Sequence, residues 1–83
     1  MELKDTIEMM NSEDYKERFK AEYYQTKIRF EKLKEMCAKY EAGTLDFTPT
    51  CSLGLLKGQK EAMEHYLGFL VIRAEVEGVT LNG

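Results

Sequence analysis

SLGLLKGQKEAMEHYLGFLVIRAEVE, residues 52–77, carries two apolar stripes. Leu53, Leu56, Met63, Leu67, Leu70 and Ala74 form the first; Leu55, Ala62, Tyr66, Phe69 and Val76 form the second. Both advance by threes and fours or their sum, seven, the spacing that keeps side chains on one side of a helix. A surface helix of a small domain needs one such stripe. Burying two requires helices on more than one side, and in a short chain some of those neighbours are expected to be other copies.

The preceding segment TLDFTPTC, residues 44–51, interrupts helical structure with Pro49 and turn-forming threonines. Leu45 and Phe47 within it are expected to fold back and seal the end of a hairpin. Upstream, Phe19, Tyr23, Thr26, Phe30, Leu33, Cys37 and Tyr40 alternate steps of four and three, the rhythm of helices packed side by side. A long helix is therefore predicted over about 12–42, started by Ser12 with acids behind it and stopped by Gly43. Its length is roughly 45 Å at ~1.5 Å per residue. Asp14 with Arg18 and Glu35 with Lys39 add charge pairs four residues apart. A short connection makes the two long helices antiparallel. Residues 1–11 read as a short N-terminal helix or frayed arm, 12–78 as the hairpin, and 79–83 as an extended or disordered tail. Gly54, Gly58 and Ala62 recur every fourth residue. Glycine inside a helix costs about 1 kcal/mol against alanine, so either another backbone approaches closely there or the first turns fray.

Composition bounds the rest. The chain has 83 residues, with 12 Lys+Arg against 15 Asp+Glu and a net charge of −3. So small a chain buries only about 60% of its unfolded surface, and oligomerisation is a common remedy. The acidic balance argues against a binder of DNA or RNA polymers. No apolar run approaches the ~18 to 20 residues of a membrane span, and no signal peptide is visible, so the cytoplasm is expected. Cys37 and Cys51 are expected to be free thiols. No cofactor or metal ligand set stands out, and His65 has no partners for a catalytic triad. Without a phosphate loop or paired catalytic carboxylates, no catalytic residue is assigned and no enzyme is expected.

Three groups carry possible binding chemistry. Lys20, Lys27 and Lys34 lie seven apart beside the apolar seam; they form either a phosphate track or a solvated flank. Tyr15, Tyr23 and Tyr24 with Arg18 and Arg29 offer stacking rings and phosphate forks, or pack core and interface with polar tips at the rim. Arg18, Glu22 and Arg73 are expected to converge at the open end of the hairpin. There they make either a structural ion cluster or an anion pocket. The candidate ligand-binding set is Tyr15, Arg18, Lys20, Lys27 and Arg73.

The run from Tyr15 to Leu81 resembles a family of short phage and prophage proteins typified by a small protein of crAss-like gut phages. The resemblance rests on Tyr15, Arg18 and Glu22, on YEAGTLDFTPTC ending at Cys51, and on LLK followed by Gln59, Ala62, Met63, Tyr66 and Leu67. Arg73, Ala74, Glu77 and Gly78 complete it, while Gly54 and Gly58 depart from the expected helix formers. The resemblance implies a helical hairpin that assembles into multimers. In size and architecture the chain is similar to phage anti-CBASS and anti-Thoeris sponges, which soak up cyclic nucleotide immune signals; none of their ligand residues aligns by position. The resulting expectation is an all-α antiparallel two-helix hairpin with a short N-terminal helix, forming a homo-oligomeric bundle. It would sequester a cyclic nucleotide, uncleaved, in the cytoplasm of an infected or lysogenic bacterium. The alternative is an oligomeric helical module that binds a host or phage protein.

Overall fold

The computed structural model describes residues 1–81, and every regular element among them is helical. A 3-10 turn, Leu3–Thr6, runs into one α-helical turn, α1, Ile7–Met10; the long helices are α2, Tyr15–Ala42, and α3, Leu53–Glu77. The last two positions of the tail lie outside the described residues.

α2 begins three residues after the predicted Ser12. Asp14 is the cap, its carboxylate accepting the Lys16 backbone N–H at 2.9 Å. Ser12 instead accepts the Asp14 N–H through its hydroxyl at 3.1 Å, so it shapes the approach to the helix. At the other end Gly43 takes φ 71°. The N–H groups of Gly43 and Thr44 return to the carbonyls of Tyr40 and Lys39, a closure that satisfies orphan carbonyls and favours glycine. Ser52 caps α3 by accepting the Leu55 N–H at 3.1 Å. Gly78, also at φ 71°, ends it, with the Val79 N–H on the Ala74 carbonyl at 2.8 Å.

The core follows the seam predicted on α2 and the first stripe of α3. Phe19, Tyr23, Tyr24, Leu70, Ala74 and Val79 form one buried cluster, with Met9, Leu67 and Leu81 packed against it. Val79 packing near Ala74 is the apolar contact that accompanies this type of helix end, and it draws the tail into the core. The N-terminal arm packs on α2. Thr6 is fully buried there, its hydroxyl donating to the Leu3 carbonyl at 2.7 Å. Contacts between the long helices run in opposite order along the chain: Tyr15 meets Glu77, and Glu41 meets Lys57.

Two expectations change. Leu45 is half-buried but Phe47 is 54% exposed, so Phe47 does not seal the connection. The first turns of α3 do not fray, since Gly54 and Gly58 lie inside a continuous helix. Within the chain no neighbour approaches them either: a Cβ at either glycine meets nothing within 4 Å. The second stripe of α3 faces outward, with Leu55, Phe69 and Val76 at 62%, 66% and 81% exposure.

Candidate functional site

The Asp14 cap sets the first turn of α2, which presents Tyr15 and Phe19 one above the other. Their ring centres are 6.3 Å apart and tilted. The last turn of α3 brings Arg73 and Glu77, four residues apart, against that pair. The Tyr15 hydroxyl donates to Glu77 Oε1 at 2.5 Å. Arg73 donates from Nη2 to the Tyr15 oxygen at 2.7 Å and from Nε to Glu77 Oε2 at 3.0 Å. The Arg73 guanidinium lies over the buried Phe19 ring at 4.9 Å, a cation–π arrangement. Lys16 reaches the Gly78 carbonyl at 3.4 Å beside it.

The electrostatics of this group are mutual. Glu77 is held below its ordinary range, first by the Tyr15 hydroxyl and then by Arg73. Tyr15 is raised, chiefly because it donates to Glu77. Arg73 is raised through its bond to Glu77. The guanidinium carries five N–H donors, and these contacts engage two of them. An anion competing with Glu77 would meet a planar fork already oriented by an aromatic face, with a phenol beside it.

The structure thus joins two of the residues expected from sequence, Tyr15 and Arg73. Arg18 is committed elsewhere: its Nη1 donates to the Ser12 and Glu13 carbonyls at 2.8 and 2.9 Å, tying down the segment before α2. Glu22 is exposed, and the partner of Arg73 is Glu77. Helix spacing explains the change, because Glu77 is one turn from Arg73 on the same helix. Lys20 pairs with Glu17 at 3.4 Å, and Lys27 stands 5.7 Å from the centre of the Tyr23 ring. Tyr23 and Tyr24 are buried edge to face at 5.3 Å and belong to the core. Lys34 and Arg29 are exposed. Phe19 and Glu77 are the residues of this group that the sequence reading did not assign to it. The Arg73–Glu77 spacing was the available signal.

Elsewhere, a groove of about 360 Å³ lies near the connection, lined in part by Lys32, Lys39, Glu35 and Asp46. Its charges offset one another, so it offers an anion little net field. Among the described residues no three His, Cys, Asp or Glu side chains gather to hold a metal. Cys37 is buried and Cys51 exposed, both as free thiols. No described helix is long and apolar enough to cross a membrane.

A family model described as Sequestin matches residues 13–76. The chain belongs to the Sequestin family. The Sequestin match takes in Tyr15, Phe19 and Arg73 and stops one residue before Glu77. No curated protein and no solved structure matches the chain.

Proposed function

We propose that this chain is a phage-encoded, non-enzymatic sponge that binds a cyclic nucleotide immune signal and holds it intact. It would act in the cytoplasm of the infected or lysogenic host. Helical hairpins assembled into a homo-oligomer would carry the ligand at clefts between them. The observation that carries the reading is membership, over residues 13–76, of a family whose name denotes sequestration. The geometry supports it with a suitable group. Arg73, flat on Phe19 and bonded to Tyr15, presents a fork that fits phosphate oxygens in pairs. Tyr15, 46% exposed, supplies a ring on which a base can stack. Lys27, and Lys20 once released from Glu17, would add positive field from the flank of α2.

The test is a thermal-shift panel of cyclic dinucleotides, cyclic trinucleotides and cyclic ADP-ribose isomers. A ligand that binds only the folded state stabilises it by about 2.7 kcal/mol at 100 times its Kd, so a rise in Tm of several degrees is expected with one class. Release of the unchanged nucleotide on denaturing the complex separates a sponge from a hydrolase. The outward apolar stripe of α3 favours a second reading, an oligomeric helical module that binds a host or phage protein. No shift with any nucleotide would favour that reading.

A further inference from the structure

The outward face of α3 is a single stripe with opposite character at its two ends. Gly54, Gly58 and Ala62 occupy its first half; Phe69, Ile72 and Val76 occupy its second. His65 stands midway between Gly54 and Val76, and all seven positions are exposed. Small residues in one half and large ones in the other are self-complementary when two such helices meet antiparallel. Pairing Gly54 with Val76 also pairs Gly58 with Ile72 and places His65 against itself. A two-fold axis through His65 generates these pairs together, as an isologous interface requires.

We propose that a second copy of this chain docks antiparallel on this stripe about a two-fold axis at His65. Two observations converge on that occupant. The glycines cost helix stability and serve nothing within the chain, since a Cβ at Gly54 or Gly58 meets open space; Ile72 and Val76 of a second copy fill that space. The area is sufficient. Leu55, Tyr66, Phe69, Ile72 and Val76 are between 41% and 81% exposed. Their full exposed area is on the order of 600 Å² per chain, so a pair that covers most of it reaches the ~1,000 Å² expected of a specific interface. A two-fold axis of this kind sets each flank of the helix beside the same flank of the other copy. One flank carries Lys57, already bonded to Glu41 of α2 at 2.7 Å, together with Glu64 and Glu75.

The other flank carries Arg73, with Leu55, Gln59 and Tyr66. In the paired arrangement, the height of residue 57 in one copy matches that of Arg73 in the other. Leu55 and Gln59 of the second copy then wall the Tyr15–Arg73 group. Each Arg73 lies eight residues from the axis, about 12 Å at ~1.5 Å per residue, so the pair carries two such groups on one side. The docking depends only on the helix face; the use of Gln59 as a wall rests on the nucleotide reading above.

The experiment is sedimentation of the unliganded chain at tens of micromolar, beside three variants. Wild type is expected as a dimer or a multiple of one. Gly58→Leu leaves the single chain folded, because the space is open, but blocks the pair and yields monomer. Adding Ile72→Ala to it makes room across the axis and restores the pair. In a Cys51→Ser background, His65→Cys is expected to form a disulfide-linked dimer under mild oxidation. Helices 8–10 Å apart bring facing Cα atoms within disulfide range. A monomeric wild type, an undisturbed assembly in Gly58→Leu, no recovery in the double variant, or no His65→Cys cross-link would each overturn the arrangement. None of these measurements involves a nucleotide, so their failure is separate from failure of the binding reading.

Discussion

Arg73 stacks over Phe19 at 4.9 Å while sharing two hydrogen bonds with Tyr15 and Glu77. The guanidinium is therefore held by an apolar surface beneath it and by polar partners at its rim. Lysine can occupy the same volume but not the same plane. Arg73→Lys should keep helix content and oligomeric state while weakening nucleotide binding by roughly 10- to 100-fold, about 1.5–3 kcal/mol for hydrogen bonds to charged groups. Lys34→Ala, on the exposed flank of α2, should change affinity little. Titration of both variants checks the contrast.

Glu77 and Glu41 contribute to the acid limb of stability. Both are held below their ordinary value of 4.5, Glu77 by Tyr15 and then Arg73, Glu41 by Lys57. A lowered folded value means that the unfolded chain takes up the proton first as pH falls. The stabilisation is therefore full above the ordinary carboxylate range and is lost as pH drops through the folded values. Tyr15 and Lys57 are raised above 10.0 and 10.5, so their contribution is full below those values and lost as pH rises through the folded ones. Melting curves should show a shallower acid loss for Glu77→Gln than for wild type. Tyrosinate absorbance in that variant should show one phenol ionising at lower pH than before.

Glycines at different places should respond in opposite directions. Gly78 adopts φ 71° at the end of α3, a conformation that costs an L-residue roughly 1–2 kcal/mol. Gly78→Ala should lower stability by about that amount. Gly58, inside the helix with open space around it, should gain about 1 kcal/mol in the isolated chain on substitution by alanine. Chemical denaturation at a concentration where the chain is monomeric measures both changes.

Leu70 is 1% exposed and sits in the cluster with Phe19, Tyr23 and Ala74. Leu70→Ala should cost about 2–5 kcal/mol, the range for emptying a packed leucine site. Val76→Ala, at 81% exposure, should leave the stability of the single chain nearly unchanged. Urea midpoints of the two variants, compared at one low protein concentration, provide the check.

Most of the helical framework was legible because its signals are local. The steps of four and three along Phe19 to Tyr40, and Gly43 and Gly78 at helix ends, depend on residues within a turn or two; the start of the second helix was open between Thr50 and Ser52, and Ser52 is the cap. What escaped the sequence were choices between equivalent neighbours. Ser12 and Asp14 can both cap a helix, and only the geometry assigns the N–H of Lys16 to Asp14. Glu22 and Glu77 can both neutralise Arg73, and the helix turn decides for Glu77. Arg18 can serve a ligand or a backbone, and the carbonyls of Ser12 and Glu13 claim it. Phe47 is apolar enough for a core but belongs to a connection with too little chain around it to cover it.

The most direct measurement is equilibrium titration of wild type and Arg73→Lys with the cyclic nucleotide that gives the largest thermal shift, followed by mass analysis of the released ligand. Saturable binding by wild type, a 10- to 100-fold weaker Arg73→Lys, and a ligand recovered at its original mass are expected. Equal affinity in the two proteins would remove the Tyr15–Arg73 group as the site, and a cleaved ligand would contradict sequestration.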